Sequence, residues 1–239
     1  MVPLYVGFDP REAIAYHVFC QSVIEHSSVP VAFMPLHSPM LENFDGQQDG
    51  TNAFIFSRYL IPSLQGFAGW AIFCDGDMIV KDDIAKLWAL KDDRYAAMVV
   101  KHYYQTKHPR KYLGTPLEND NLDYPRKNWS SVTLWNCGHP SNRILKRNFV
   151  ADAGGRLLHR FTWLRDEEIG ELPVEWNHLV LEYPPADAKL MHHTLGTPAF
   201  REYANSDISW RRYLNNALRA EGEKPIEIVR RANGYYQSD

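Results

Sequence analysis

The chain is short of cysteine, of net charge and of long apolar runs. Cysteine occurs three times in 239 residues, at Cys20, Cys74 and Cys137, with no spacing suited to a metal knot or a disulfide framework. Two of them lie in apolar, strand-like runs and the third in a helical stretch, so buried free thiols are expected. That usage suits a reducing compartment, and a cytoplasmic location follows as an expectation. The formal net charge of −3 removes the general basic footprint of a nucleic-acid-binding protein. No apolar stretch approaches the roughly 18 residues that a membrane span needs. A basic segment followed by an apolar run and a cleavage site is also missing, so neither a transmembrane span nor a secretory leader is expected. Internal repeats and linkers are lacking as well.

What is present is an ordinary globular composition, 45% hydrophobic and 23% charged, in a chain long enough for one sizeable α/β domain. Its centre is Trp70-Ala71-Ile72-Phe73-Cys74-Asp75-Gly76-Asp77-Met78-Ile79-Val80. An apolar run ends in two acids separated by glycine, and a second apolar run follows. The first run reads as a buried strand. Gly76 permits a sharp turn that converges both carboxylates beyond the strand end, where ligands of open α/β sheets bind. Oxygen ligands so placed suit Mg²⁺ or Mn²⁺. A surface turn or a hairpin fits the same residues.

Before this centre, residues 2–8 read as a strand, followed by a helix with Asp9 as N-cap, Pro10 at its first position and Glu12 completing a capping box. Residues 29–36 read as a second strand and 37–52 as a loop. Residues 52–64 read as a helix carrying Arg58, a cation that either snorkels to the surface or reaches toward phosphate and the acids. Beyond the centre, residues 102–128 are polar and aperiodic, as in an active-site insertion or lid. Residues 130–137 read as a strand ending in Asn136-Cys137-Gly138. Asp166, Glu167 and Glu168 either open a short helix or project into a site. In Leu190-Met191-His192-His193-Thr194-Leu195-Gly196, strand alternation sends the adjacent histidines to opposite faces. Residues 208–220 read as an amphipathic helix, docked on the domain or resting on an anionic membrane surface.

In order along the chain, Ser57-Arg58-Tyr59-Leu60-Ile61-Pro62, Asp75-Gly76-Asp77, Asn136-Cys137-Gly138, Leu172-Pro173 with Trp176-Asn177, and His193-Thr194-Leu195-Gly196 resemble the motifs of the retaining nucleotide-sugar glycosyltransferases of family 8, the glycogenin and bacterial lipopolysaccharide galactosyltransferase type. The resemblance runs from Tyr5 to about Tyr203. It implies an α/β GT-A fold: one Rossmann-like nucleotide-sugar-binding domain with a mixed central sheet flanked by helices. The catalytic domain would cover residues 1–205, with residues 206–239 a helical extension on it. It implies a metal-dependent hexosyltransferase that moves sugar from a nucleoside-diphosphate donor, UDP-linked, to a hydroxyl. The acceptor would be a glycan, glycolipid or lipid-linked sugar, with peripheral contact at the inner face of a membrane left open. A nucleotide-sugar-binding protein without transfer, or a nucleotide-sugar hydrolase, is the alternative.

By the same resemblance Asp75, Asp77 and His193 bind Mn²⁺ or Mg²⁺. His193 is preferred to His192 because it stands three residues before Gly196. Phe8 and Asp9 meet the nucleotide base or ribose, Arg58 binds the donor, and Asn136 lies near the donor sugar as a binding and catalytic residue. Gly76 and Gly196 complete the donor site. Asp166 and Glu167 take the place of the family's Asp-Gln-Asp segment, beneath the anomeric carbon. The sequence departs from the family after Gly196, where Thr197-Pro198-Ala199-Phe200 replaces a lysine-bearing segment that contacts the diphosphate.

Overall fold

The computed structural model describes residues 1–38, 52 and 54–220. Most of the loop expected over 37–52, and residues 221–239 of the C-terminal extension, lie outside the described residues.

The centre of the molecule is a six-stranded mixed sheet. Its strands are β1 (Val2–Gly7), β2 (Val31–Leu36), β3 (Trp70–Cys74), β5 (Ala97–Val99), β8 (Val132–Asn136) and β9 (Ile169–Glu171), in the order β2-β1-β3-β8-β5-β9. β1 runs parallel to β2 and β3, whereas β8 is antiparallel to both β3 and β5. The central strands are apolar on both faces, which is why they read as continuous hydrophobic runs. Alternation divides them between two cores. Tyr5, Phe73, Trp135 and Val99 enter one, with Tyr59, Phe161 and Leu158. Leu4, Val6, Ile72, Cys74 and Leu134 enter the other, with Phe19, Val23 and Trp176.

Asp9 caps a short 3-10 turn, Pro10–Glu12, by accepting from the Arg11 amide at 2.9 Å. Helix α1 (Ala13–His26) follows and returns the chain to β2. Glu12 does not close a capping box. Its carboxyl is buried, which raises its pKa, and the charges of Asp77 and Asp9 add to the rise. The helix expected over 52–64 is shorter: a 3-10 turn, Ser57–Leu60, leads into α2 (Ile61–Leu64).

The two apolar runs of the central motif do not form a hairpin. β3 stays in the main sheet, while β4 (Met78–Val80) leaves it to pair antiparallel with β11 (Leu190–His192) in a second sheet of order β10-β11-β4, where β10 is His178–Leu179. A third element pair, β6 (Arg110–Lys111) and β7 (Asn119–Asp120), organises the segment 102–128. Glu182 anchors that segment by accepting from the Thr106 hydroxyl and, at 3.0 Å, from the Lys107 amide. Among the remaining helices, α3 is Ile84–Trp88, α4 Arg147–Asp152 and α5 Gly154–His159. α6 (Ile208–Ala220) buries Trp210, Tyr213, Leu214 and Leu218 against Ile14 and Val18 of α1. α1 is therefore enclosed between the sheet and α6. No helix among the described residues is long and apolar enough to cross a membrane.

Candidate active site

β1 is flanked by β2 on one side and β3 on the other, so a crevice opens at their carboxyl ends, the usual ligand position in such sheets. Asp75 is the first residue beyond β3, and its amide donates to the Ser131 carbonyl at 2.9 Å. The Gly76 turn lies directly on β1: a Cβ at Gly76 would stand 2.4 Å from the Gly7 carbonyl oxygen. Only glycine lets the chain turn here and deliver Asp77 beside Asp75.

The third member of the cluster is His192. One ligand atom from each of Asp75, Asp77 and His192 can be chosen so that all lie within 4.8 Å of one another. His192 Nε2 is 3.3 Å from Asp77 Oδ1 and 4.0 Å from Asp75 Oδ2. Its other nitrogen, Nδ1, is 3.0 Å from Asn177 Oδ1. The Asn177 amide orientation is set by Nδ2, which donates to Ser131 Oγ at 2.8 Å and to the Asn128 carbonyl. Nδ1 must therefore carry a hydrogen, and Nε2 is the ring nitrogen that faces the carboxylates, free to ligate a metal ion between them. Three electron-pair donors thus face one point. Asp75 Oδ1 and Asp77 Oδ1 are both buried without a hydrogen-bond donor of proper direction. A donor set of carboxylate oxygens and an imidazole, with two oxygens that accept no hydrogen bond, fits a divalent transition ion such as Mn²⁺.

This corrects the expected register. His193 is the histidine turned away: its ring lies 3.3 Å from Asp207 Oδ2 through Nε2 and 3.2 Å from the Asp77 carbonyl through Nδ1. Position 192 pairs with Met78 and shares a strand face with buried Leu190. That face carries it to the acids, and the next residue points the other way.

Arg58 is 4% exposed. Its Nη1 is 2.8 Å from Asp75 Oδ1 and donates to the Ser130 carbonyl at 3.1 Å. The guanidinium also lies over the rings of Phe54 and Phe73. It reaches the acids, as one reading of the sequence had it. Burial raises the Asp75 pKa to about 6 against the pull of Arg58, with Asp77 adding to the rise. Burial also opposes ionisation of Asp77, but His192 and then His193 hold it below its ordinary value. Glu12 is pushed up to about 8 by burial and by the charges of Asp77 and Asp9.

A cavity of about 100 Å³ opens over the cluster, walled on the far side by Lys111, Tyr112, Tyr124 and Asn128 of the segment 102–128. Ser130, Ser131 and His159 form its floor beside Arg58. His159 Nδ1 is within 3.0 Å of both the Tyr59 and Ser130 hydroxyls, and burial pushes its pKa down to about 3. A smaller recess beside it is bordered by Gly7, Asp9, Glu12 and Gly76. Asp9 also pairs with the Arg11 side chain at 2.6 Å. Phe8 sits at the same strand end, edge-on to Tyr16 and His37.

The other expected site residues do not join this group. Asn136 pairs with Trp70, at the start of β3, whereas Val132 pairs with Cys74 at its end. β8 is antiparallel, so five steps separate Asn136 from the level of Asp75, on the order of 16 Å. Its side chain donates to the Tyr95 carbonyl. The site end of β8 is its beginning, at Ser130 and Ser131. Asp166 and Glu167 stand at that remote end too, because Ile169 is in register with Ala97 and so with Trp135. Their side chains are 85% and 67% exposed and paired with Arg126 and Arg165. Glu168 caps the turn by accepting from the Arg165 amide. The acid cluster is a helix start. Gly196 borders the site without lining it: a Cβ there would meet the Tyr203 ring at 2.5 Å. Sequence reasoning missed Asn177 as the group that aims His192, although Trp176-Asn177 stood out as a motif. It also missed Ser130, Ser131 and His159, for which no local pattern gave a signal.

The structure resembles solved glycosyltransferases. The bifunctional glycosyltransferase WbbM aligns with a TM-score of 0.62 at 14% identity, over 98% of this chain and 52% of that one, so this chain spans about half of WbbM. The galactosyltransferase LgtC, solved with donor and acceptor sugar analogues, aligns at 0.56 and 11% identity, over 90% of this chain and 95% of that one. Mouse xyloside xylosyltransferase 1 aligns at 0.51 and 14% identity, over 82% and 99%. Among curated sequences, Protein CDI of Arabidopsis thaliana is 40% identical over 218 residues, 86% of this chain and 82% of its own length. The family model for Glycosyl transferase family 8 matches residues 11–131. With the motif order, the sheet and these relatives in agreement, the chain belongs to glycosyl transferase family 8 and is a glycosyltransferase of GT-A fold.

Proposed function

We propose that the protein transfers a hexose from a nucleoside-diphosphate sugar, UDP-linked, to a hydroxyl of a glycan, glycolipid or lipid-linked acceptor, with retention at the anomeric carbon. The observation that carries this reading is the convergence of Asp75, Asp77 and His192 on one point, with a buried oxygen of each carboxylate accepting no hydrogen bond. Asp75, Asp77 and His192 would hold a divalent cation, Mn²⁺ before Mg²⁺, which would supply positive charge for the departing diphosphate. Asn177 holds the His192 ring so that Nε2 faces the acids. Arg58 restrains Asp75 and keeps the two carboxylates from repelling each other apart. In this reading Asp9 meets the nucleoside, which its place on the recess beside Gly76 and Asp77 supports. Residues 1–205 form the catalytic body in this reading, with 206–239 riding on it through α6.

The wall and floor of the main cavity carry no carboxylate besides Asp75 and Asp77 among the described residues. That favours departure and attack on one face of the sugar over a double displacement through a protein nucleophile. The acceptor oxygen forms its bond to the anomeric carbon as the bond to the diphosphate oxygen breaks. The acceptor proton passes to the leaving phosphate oxygen.

The test is a panel of nucleotide sugars with Mn²⁺, assayed with and without sugar acceptors. Transfer to a hydroxyl acceptor supports the reading. Binding without turnover, or release of free sugar with every acceptor, overturns it in favour of a binding protein or a hydrolase. Asp77→Asn should reduce transfer at least a hundredfold while leaving the circular dichroism spectrum unchanged.

A further inference from the structure

The cavity over the acids contains two cations, and they are differently engaged. Arg58 is committed: it faces Asp75, donates to Ser130 and is covered by two aromatic rings. Lys111 has no carboxylate within ion-pair distance among the described residues, although its neighbour Arg110 has two. Alternation along β6 produces the difference. Arg110 points outward to Glu118 at 2.7 Å and Asp120 at 2.9 Å, while Lys111 turns inward to the cavity wall. Its ammonium lies over the ring of Tyr112, 5.6 Å from the centroid.

A lysine drawn into a partly desolvated wall without a counterion is costly unless an anion arrives. Asp75 and Asp77 face inward with it, but their charge would be taken up by a cation held between them. The position is also fixed. The Tyr112 amide donates to the Leu195 carbonyl at 2.7 Å, and the Leu113 amide to the Tyr203 hydroxyl at 3.2 Å. Tyr112, Leu195, Phe200 and Tyr203 form one apolar cluster beneath. Lys111 is thus fastened to the chain that follows His192. The stretch after Gly196 offers no cation of its own into the site, since Thr197 and Ala199 are each 1% exposed and Arg201 lies on the surface.

We propose that Lys111 is the diphosphate-binding cation of this enzyme: its ammonium receives the phosphate oxygens of the donor and holds the diphosphate as it leaves. The inference rests on the donor reading above. It makes the segment 102–128 a donor-side element at Lys111, whatever its outer surface does for the acceptor.

Calorimetric titration of UDP and of uridine, each with Mn²⁺, into the wild type and into Lys111→Gln tests it. The expected result is a loss of at least tenfold in UDP affinity, uridine affinity within twofold of the wild type, and recovery of most UDP affinity in Lys111→Arg. UDP affinity within twofold of the wild type in Lys111→Gln overturns the inference alone. So does an equal loss for uridine, which would mark a general collapse of the site. A rise in the acceptor's KM with unchanged UDP affinity reassigns Lys111 to the acceptor. If the wild type binds neither UDP nor any other nucleoside diphosphate of the panel, the donor reading itself falls, and this inference with it.

Discussion

At His192 and His193 one step of backbone decides which imidazole meets the acids. The sequence shows two adjacent histidines, and alternation says that they differ, but the strand register that says which is inward comes from pairing with Met78, a residue 114 positions earlier. A motif spaced from Gly196 selected the wrong one of the pair. The energetic consequence is separable. On the proposed metal site, His192→Ala removes one of the three converging donors and should lower Mn²⁺ affinity at least tenfold, with little change in melting temperature of the metal-free protein. His193→Ala removes a buried ring between Asp207 and the Asp77 carbonyl and should cost about 1–3 kcal/mol of stability, with a smaller effect on metal affinity. Calorimetric titration of Mn²⁺ beside urea unfolding of both variants measures this. Equal losses of metal affinity would reject the assigned register.

At the scale of elements, the legible parts are those that local chemistry dictates. The apolar run of β3, the glycine turn that follows and the capping by Asp9 of the turn that leads into α1 are all written in neighbouring residues. Strand direction is not. Nothing near Asn136 reveals that β8 runs antiparallel to β3, and with that unknown, the wrong end of the strand was brought to the site. Asp166 and Glu167 failed for the same reason, since β9 sets their height along the sheet and only its pairing with β5 fixes it. The amphipathic α6 was legible as a helix, but not its partner. Its apolar face meets α1, with Trp210 and Tyr213 each 1% exposed, so this face is not free to rest on a membrane. Trp210→Ala should therefore destabilise the fold by about 3–5 kcal/mol, the usual loss for a buried tryptophan. Chemical denaturation checks it, and a change below about 1 kcal/mol would mean that α6 is detached in solution.

For the molecule as a whole, pH acts through groups that pull in opposite directions. Glu12 and Asp75, with folded pKa values of about 8 and 6, hold protons that the unfolded chain releases near pH 4. Their stabilisation is present at low pH and is lost as pH rises through those values. His102 runs the other way. It is 5% exposed, its Nδ1 is 2.7 Å from the Tyr183 hydroxyl, and its Nε2 has no partner. Burial, with His192 and His178 nearby, lowers its pKa to about 3. The unfolded chain takes up that proton near pH 6.5. Between about 6.5 and 3 the unfolded state is therefore the more protonated at this site, and stability contributed by His102 falls as pH falls. The slope for one proton is about 1.4 kcal/mol per pH unit. The wild-type curve mixes these terms, so the comparison must be with a variant. His102→Gln keeps size and polarity and removes the titration. From pH 6.5 to 4.5 the wild type should lose about 2–3 kcal/mol more than His102→Gln in urea unfolding. Parallel curves would mean that the ring is protonated within the fold, and that the start of the segment 102–128 is open to water.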